Sequence, residues 1–482
     1  MVHEGDYTLR HPFTPSPSSN NNLSTLLSGD SRTSLEPPST SLVAHAPGWT
    51  LLRDLYMSNG TFFIVAEEEE VTRYPLLRMI ISTPLAAENT PENIALREPT
   101  EKELQFITPQ EAAKRWSETP ARKPRWRTVE GLSVLVNEPS QFLTHYYHFV
   151  AEFFLGTWAF LSGALNLGNP TFRLGGQESI KQLQRVIFMH AAGGWRDHPG
   201  FNSYVLRAAF PSIAIETSVD WEDRIAATWA TDIEDSSTKA WHFPMAAIFD
   251  RSAAFRGSIC SRNQRVAAEP WDLMRQTKRL DKFGLWWDPI RNSIQSFAGL
   301  PTVVYDTPAD FSADEEGDHM EAVPEQIVIT YISRQASRRR LIPENHEELV
   351  QSLEALVKRE QENGRSIILN VIQSELFSHD EQIRFAAKTT ILIGVHGNGL
   401  THLVFMTPNR LSSVIELFYP GGFAHDYEWT TRALGMRHFS VWNDTYFTAP
   451  DEPPVSYPDG FQGPRIPVHG PAVVRLIENL ID

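Results

Sequence analysis

In the second half of the 482-residue chain, apolar runs alternate with amphipathic stretches. Leu349, Leu353 and Leu356 follow the spacing of one helix face, and Asn345 precedes them as a capping residue. Repeated strand–helix–strand order predicts a parallel sheet with helices on both faces. Five apolar runs are typical of buried strands: 327–332, 367–372, 389–395, 413–418 and 439–442.

Polar residues between these runs predict where helices begin and end. Ser378 with Glu381 three residues later has the pattern of a capping box, which opens a helix. Gly435 follows the helical segment 426–434 and is typical of the residue that ends a helix. Apolar spacing in the last dozen residues predicts a terminal helix within 466–482.

The first half carries shorter signals. Asn59-Gly60 lies between two apolar runs, which predicts a hairpin over 55–65. Residues 145–161 are typical of a helix, whereas the polar, proline-punctuated stretch 84–125 predicts a long surface excursion. Strand candidates in this half are 131–136, 185–190, 212–216 and 246–249.

Composition divides the chain into regions. Residues 1–45 are rich in Ser, Thr, Pro and Asn without apolar periodicity, which predicts disorder. A run of acids between Asp306 and Glu325 holds no Lys or Arg and is interpreted as a linker. The predicted regions are a tail at 1–45, an N-terminal α/β domain at 46–310, a linker at 311–325, a C-terminal α/β domain at 326–465 and a terminal helix at 466–482.

Charge and cysteine content exclude several classes of protein. The formal net charge of −16 argues against a non-specific nucleic-acid binder. The single cysteine, Cys260, excludes an intrachain disulfide and a multi-cysteine zinc site. We expect no membrane segment, because the chain has no long apolar run and its first residues lack the pattern of a signal peptide.

The strongest local motif is the run Val395 to His402, which follows an apolar strand. Gly397 and Gly399 allow close approach of a ligand, and the first N–H groups of a following helix favour an anion. A tight turn that only needs small residues is the alternative interpretation. The motif is not a dinucleotide fingerprint, because His402 stands where the third glycine belongs.

Two further features follow strands of the same half. Four arginines lie between Arg334 and Arg340, directly after the strand 327–332, and guanidinium groups bind phosphate oxygens in pairs. A solvated basic turn is the alternative. Glu416 lies near the end of the strand 413–418, where a carboxylate can accept hydrogen bonds from ribose hydroxyls; an ordinary strand exit is the alternative there.

In the first half, His148 and Glu152 lie four residues apart on one helix face. Such a pair is usually a structural hydrogen bond. As a functional pair it supplies a carboxylate base and an imidazole that orients it. The sequence has no Asp-x-Asp pair, no H-E-x-x-H motif and no G-x-S-x-G motif, which lowers the expectation of a metal–nucleotide site, a zinc protease or an α/β-hydrolase.

Together these motifs carry a family resemblance. The matching text is Ile332 to Arg334 with Arg338 to Arg340, the run Gly394 to His402, and Val414 to Phe418, with Tyr147-His148 and Glu152 upstream. In these segments the chain resembles glycosyltransferase family 61, in particular its fungal members. The resemblance implies a GT-B fold of two Rossmann-like domains that face a cleft. It also implies inverting transfer from a UDP-sugar without a metal, and a place in the Golgi or secretory pathway.

The resemblance also implies roles for residues. Glu152 is expected to act as the catalytic base with support from His148. No cofactor is expected; the partners are a UDP-sugar donor, with xylose or N-acetylglucosamine as the sugar, and a glycan or glycoprotein acceptor. A non-catalytic nucleotide-sugar or glycan-binding protein and a donor-processing enzyme such as an epimerase are the alternatives. The expected donor-binding residues are Ser333, Arg334, Arg338, Arg339, His396, Gly397, Asn398, Gly399, Leu400, Thr401, His402 and Glu416.

Overall fold

The computed structural model describes residues 36–117, 124–165, 183–229, 238–301 and 324–482. These residues divide into two units. The first comprises the described residues before Tyr204 and the segment Phe210–Leu280, and the second comprises Tyr204–Ala209 and the described residues from Asp281 onward. Most of the predicted linker lies outside the described residues, so the interpretation of that segment stays a prediction.

A mixed sheet forms the first unit. Its order is β4-β3-β2-β9-β6-β7-β8, with β1 beside β2 and β5 beside β9. The strands β9, β6, β7 and β8 run parallel, whereas β2 runs antiparallel to β1, β3 and β9. The nine described strands are β1 (Ser41–Ala46), β2 (Trp49–Ser58), β3 (Thr61–Val65), β4 (Leu104–Ile107), β5 (Trp126–Thr128), β6 (Leu132–Pro139), β7 (Leu183–His190), β8 (Ala214–Glu216) and β9 (Ala240–Phe249).

Helices connect and cover these strands. A π-helix at His148–Phe154 continues into α5, so the predicted helix 145–161 forms, with a wider turn in its first part. A 3₁₀ turn covers Val71–Arg73. The α-helices are α1 (Leu77–Ile80), α2 (Pro91–Leu96), α3 (Pro109–Trp116), α4 (Ser140–Leu143), α5 (Leu155–Ala164), α6 (Phe201–Ala209), α7 (Ser218–Thr228), α8 (Arg251–Ala254), α9 (Cys260–Asn263) and α10 (Ala268–Gln276). Of α6, the residues from Tyr204 onward are assigned to the second unit.

The first unit confirms one local prediction and corrects two. The Asn59-Gly60 hairpin forms, and both turn residues have positive φ, as a tight turn between β2 and β3 requires. Residues of the tail that was predicted to be disordered form β1, because they pair with β2 along its length. The stretch 84–125 is not a surface excursion throughout: it contains β4 and α3, and Leu104 and Trp116 in them are completely buried.

The second unit contains the predicted parallel sheet. Its order is β11-β10-β12-β13-β14-β15, in which the first five strands run parallel and β15 runs antiparallel to β14. Numbered along the chain, the parallel strands follow the order 2-1-3-4-5 of a doubly wound sheet. The strands are β10 (Ile327–Ile332), β11 (Ile367–Ile372), β12 (Ile391–Val395), β13 (Ser413–Leu417), β14 (Arg437–Trp442) and β15 (Thr445–Phe447).

The helices of this unit begin close to where the sequence predicts. Ser378 and Glu381 form the reciprocal capping box at the start of α13. The helix α12 begins at Pro343 instead of after Asn345, because proline suits the first helical position, and the Asn345 side chain accepts the Val468 N–H. The helices are α11 (Asp288–Phe297), α12 (Pro343–Glu362), α13 (His379–Lys388), α14 (Asp426–Ala433) and α15 (Gly470–Ile481), with 3₁₀ segments at Leu285–Trp287, Ser374–Leu376 and Asn398–Phe405.

The terminal helix α15 packs into the core of the second unit. The helical stripe Leu349, Leu353 and Leu356 of α12 is completely buried in one cluster with Leu476 and Ile477 of α15. Burial of each such side chain contributes about 1.5–3 kcal/mol relative to exposure. The predicted division between a domain at 326–465 and a separate terminal helix is therefore not a division of the core.

Residues 281–301 belong to the second unit, although the sequence assigned them to the first domain. Hydrogen bonds explain why this segment belongs to the second unit. The Trp287 indole N–H donates to the Val404 carbonyl at 2.9 Å, and the Gln295 amide donates to the Phe405 carbonyl at 2.8 Å. Both bonds tie this segment to the 3₁₀ helix that follows β12.

Gly435, at the end of α14, provides a test of this packing. It has φ 73°, and a Cβ there would lie 2.5 Å from the Phe283 carbonyl oxygen, whereas at Gly364, with φ 85°, no atom lies within 4 Å. We expect Gly364→Ala to cost about 1 kcal/mol through backbone strain alone, and Gly435→Ala about 2–4 kcal/mol because overpacking adds to it. Urea unfolding followed by tryptophan fluorescence measures both; equal losses would contradict the close approach.

Candidate active site

The sheet of the second unit has a topological switch point between β10 and β12. From β10 the chain places β11 on one side and β12 on the other, so the loops after β10 and β12 leave in opposite directions. Ile332 pairs with Gly394, which brings the ends of these two strands together. Ligands of doubly wound sheets bind at this position. The loop after β10, which carries Arg334 and Arg339, and the loop after β12, which carries His396, therefore meet where a ligand is expected.

Gly397 shapes the turn after β12. Its φ of 142° is outside the range that side chains favour, and a Cβ there would lie 1.8 Å from Arg334 Nη1. The 3₁₀ helix Asn398–Phe405 begins directly after it, so the prediction of a helix at this point is confirmed, with a tighter turn. Its first N–H groups lie at the same edge as the arginines.

Arg334 and Arg339 share one hydrogen-bond acceptor. Their Nη1 atoms donate to the His396 carbonyl oxygen at 3.2 and 2.6 Å. Burial lowers the pKa of both guanidinium groups, and the Arg334 charge lowers that of Arg339 further. No carboxylate of the described residues forms an ion pair with either arginine. Two half-buried cations around a single carbonyl make this place attractive to an anion.

The other arginine of the prediction has a different environment. Arg338 is exposed, and its guanidinium donates to Gln462 Oε1 at 3.3 Å. Arg339 donates to the same oxygen and lies 5.5 Å from the centroid of the Phe461 ring. The local pattern around Arg339 does not indicate Gln462 or Phe461, because both lie more than a hundred residues away along the chain.

Glu416 does not face a ligand. It is completely buried: its Oε1 lies 2.5 Å from His396 Nδ1, and its Oε2 lies 2.8 Å from His438 Nε2. Burial lowers the pKa of His396 to about 3 and that of His438 to about 4, so both rings are neutral and donate to the carboxylate. The predicted contact of Glu416 with ribose is therefore wrong, and the carboxylate orients His396 instead.

Other predicted donor-binding side chains are also internal. His402 Nε2 lies 2.9 Å from Gln382 Oε1, and burial lowers the pKa of His402 to about 4. This bond accounts for the position of His402 without a ligand. Besides Glu416, the side chains of five predicted residues are buried: Ser333, His396, Leu400, Thr401 and His402. The structure does bring together Arg334, Arg339, His396, Gly397, Asn398 and Gly399.

The first unit has a switch point of its own, between β6 and β9. From β6 the chain adds β7 and β8 on one side and then returns to place β9 on the other. Val136 pairs with Phe249 and Pro139 with His190, so the carboxyl ends of three strands meet at one edge. The π-helix that carries His148 and Glu152 follows β6 after α4, and α8 follows β9.

Glu152 is sealed inside this unit, with only 1% of its surface exposed. Its Oε2 lies 2.6 Å from His148 Nδ1 and 2.5 Å from Arg251 Nη1, and its Oε1 lies 3.0 Å from Arg265 Nη1. Burial alone would raise the pKa of Glu152. The charge of Arg251 and the bond to His148 outweigh that effect and lower the pKa to about 2.

These contacts contradict the predicted role of Glu152 as catalytic base. A carboxylate that is buried, doubly paired and so weakly basic has no access to a substrate proton. His148 is the accessible member of the pair, with 26% of its side chain exposed. Because Glu152 can only accept, the tautomer that has a single ring proton carries it on Nδ1 and has a lone pair on Nε2. This is the arrangement of a base and the carboxylate that orients it.

Arg251 extends the cluster to a second carboxylate. Its Nε donates to Glu138 Oε1 at 2.5 Å, so Arg251 bridges Glu138 and Glu152, while Arg265 binds Glu152 from another side. Glu138 lies near the end of β6, and Arg251 opens α8 after β9. Residue spacing could not reveal this bridge, because Arg251 and Glu152 are 99 residues apart.

Two absences apply to the described ranges only. Within them, no group of three or more His, Cys, Asp or Glu side chains is arranged to hold a metal ion. In the same part of the chain, no helix combines the length and apolar character needed to cross a membrane.

Comparison with protein families is decisive for the class. The family model described as Glycosyltransferase 61 matches residues 146–415, more than half of the chain. The chain belongs to glycosyltransferase family 61. The matched range includes the His148–Glu152 pair, the switch point of the second unit and the His396 turn, and it confirms the resemblance seen in the sequence. A search of curated proteins gave no match to the chain.

This family 61 enzyme therefore acts on a sugar donor and a glycan acceptor. Because the chain belongs to a family of glycosyltransferases, the alternative of a non-catalytic binding protein is not retained.

Glu152→Gln tests whether the buried cluster depends on charge. The change keeps the size of the side chain but removes the negative charge that Arg251 and Arg265 share, and Arg251 keeps only Glu138 as an anionic partner among the described residues, so we expect a loss of about 3–5 kcal/mol in the free energy of unfolding. Urea unfolding at neutral pH measures it. As a matched control, Glu111→Gln breaks a solvent-exposed pair with Arg115 and should cost less than about 0.5 kcal/mol.

The difference in stability between the wild type and Glu152→Gln should depend on pH. Folding lowers the pKa of Glu152 from 4.5 to about 2, so its stabilisation is fully present above about pH 4.5 and is lost as the pH falls toward 2. The wild type should therefore lose its advantage over Glu152→Gln across that window. An advantage that stays constant down to pH 2 would show that the carboxylate does not stabilise through its charge.

Proposed function

We propose that this family 61 enzyme is an inverting glycosyltransferase that moves a sugar from a UDP-sugar to a hydroxyl of a glycan or glycoprotein. The observation that carries the proposal is the Arg334–Arg339 pair, two half-buried guanidinium groups that share the His396 carbonyl without a carboxylate partner among the described residues. A diphosphate supplies the missing charge and accepts paired hydrogen bonds. The GT-B arrangement that the resemblance implies is part of this proposal.

The leaving group needs stabilisation when the glycosidic bond to UDP breaks. Negative charge then develops on the diphosphate oxygens. Arg334 and Arg339 meet that charge, and the first N–H groups after Gly397 add a favourable dipole. These groups take the role that a divalent cation has in metal-dependent transferases, so we infer that transfer proceeds without a metal.

Inversion follows from a single in-line displacement. The acceptor oxygen forms a bond to the anomeric carbon while the bond from that carbon to the diphosphate oxygen breaks. The hydroxyl proton passes to His148 Nε2, the lone-pair position that the bond between Nδ1 and Glu152 leaves open. Glu152 stabilises the imidazolium that forms, as an ionised and immobile carboxylate can.

His396, and not Glu416 as predicted from the sequence, is the residue that we expect to contact a hydroxyl group of the donor. Because Glu416 holds the proton on Nδ1, His396 Nε2 is an acceptor. The ring stacks on Phe418 with centroids 5.1 Å apart, which fixes its plane. We infer that Nε2 accepts a hydrogen bond from a hydroxyl of the donor. The identity of the sugar, xylose or N-acetylglucosamine, rests on the resemblance.

The arginine pair predicts an effect on nucleotide affinity. Removal of one charged hydrogen-bond donor to a phosphate costs about 1.5–3 kcal/mol, so Arg334→Ala and Arg339→Ala should each weaken UDP binding by roughly 10- to 150-fold. Titration calorimetry with UDP measures the affinity. Arg338→Ala, in the same loop but exposed, should have a smaller effect. Unchanged affinity in both inner variants would refute the diphosphate site.

Turnover tests the reaction and the base together. Wild type is incubated with UDP-xylose, UDP-N-acetylglucosamine and UDP-galactose, and UDP release is recorded with water as acceptor. We expect release from at least one donor, with inversion at the anomeric carbon visible by NMR. His148→Ala should lower the rate by about 10²–10⁴-fold while UDP affinity stays the same.

His198→Ala is the matched control, because His198 is an exposed imidazole of the loop that follows β7. It should retain most of the rate. If no donor releases UDP, the assignment as an active UDP-sugar transferase falls; if His148→Ala keeps the rate of the wild type, only the base assignment falls.

A further inference from the structure

A second histidine lies at the switch-point edge of the first unit and has no part in the mechanism above. His190 is the last residue of β7, and it pairs with Pro139 at the end of β6. Its side chain is only half-buried. Parallel sheets bind ligands at this position, so the hydrogen-bonding state of each ring nitrogen decides what His190 could bind.

A chain of hydrogen bonds fixes the ring. The Asn137 side-chain amide donates to the Ser82 carbonyl at 2.8 Å and to Asp250 Oδ2 at 2.6 Å. A carbonyl oxygen can only accept, so the orientation of the Asn137 amide is settled and its Oδ1 faces His190. That oxygen lies 2.8 Å from His190 Nε2, which must therefore carry the proton.

The support behind this chain is rigid. Asp250 is completely buried, and it also accepts the backbone N–H groups of Ser82 and Ala253. Asn137 is buried as well. The ring of His190 is thus held by a network that cannot rotate without the loss of several buried hydrogen bonds.

The opposite nitrogen of His190 is left as an acceptor. Burial lowers the pKa of His190 to about 4, so the ring is neutral and Nδ1 carries a lone pair. In the part of the chain that the structure describes, no residue forms a hydrogen bond with Nδ1. A neutral, acceptor-only atom selects a hydroxyl over an anion, since an anion offers no proton.

We propose that His190 binds the acceptor glycan by accepting, at Nδ1, a hydrogen bond from a sugar hydroxyl that does not react. The inference rests on the proposed function and extends it by naming a residue that selects the acceptor. His190 is a binding residue in this account, and His148 alone moves the proton.

Two conservative variants separate the two nitrogens of the ring. In His190→Gln, the amide nitrogen reaches the place of Nε2 and keeps the bond to Asn137, but no atom occupies the place of Nδ1. In His190→Asn, the oxygen takes the place of Nδ1 while the bond to Asn137 is lost. A purely structural role predicts that Gln is the better replacement, and acceptor binding predicts that Asn is.

The probes are the methyl glycosides of xylose, mannose and N-acetylglucosamine. UDP release from the best donor is measured with water alone and with each glycoside. We expect His190→Gln to raise the KM of the stimulating glycoside about tenfold and to leave release in water unchanged, whereas His190→Asn stays within about threefold of wild type. His198→Ala, which removes an exposed histidine of the following loop, is the control.

Each other outcome overturns the inference. Equal KM values in the two variants, or a higher KM in His190→Asn, would show that Nδ1 does not bind the acceptor. A wild type that releases UDP but responds to none of the glycosides also counts against it. A wild type without UDP release overturns the proposed function itself, which this assay therefore separates from the acceptor contact. Thermal unfolding of the variants detects any loss of the fold.

Discussion

The buried carboxylate of Glu152 is the interaction on which the first unit's functional edge depends. It binds Arg251 and Arg265 and accepts from His148, so elements after β6 and β9 are held by one anion. An isolated carboxylate at this depth would be costly, and its two guanidinium partners keep it ionised. Because it stays ionised, it determines which nitrogen of His148 carries the proton. Stability and proposed chemistry therefore depend on the same charge.

The second unit also contains a buried carboxylate that orients a histidine. Glu416 is buried between His396 and His438 and orients the imidazole of His396, while the carbonyl of His396 gathers Arg334 and Arg339. In both units, a fully buried carboxylate accepts a hydrogen bond from a histidine and so determines which nitrogen of that ring carries the proton. In the proposed function, the groups that contact substrate are therefore the histidines that hydrogen-bond to these carboxylates, not the carboxylates themselves.

Local patterns predicted local structure well. The strand β10, the capping box at Ser378 and the Asn59-Gly60 hairpin form as predicted, because each depends on neighbours within a few residues. The i, i+4 spacing likewise identified the pair of His148 and Glu152. It could not show which member is exposed, since that depends on partners more than ninety residues away.

The tautomer of His148 tests the central claim most directly. The protein is labelled with ¹⁵N-histidine, and its two-bond ¹H–¹⁵N spectrum is recorded at a pH that keeps the ring neutral, with the signal assigned by its loss in a His148 variant. The account predicts that Nδ1 carries the proton and that Nε2 has the shift of an unprotonated nitrogen. A proton on Nε2 would mean that Glu152 does not orient the ring, and the base assignment would fail.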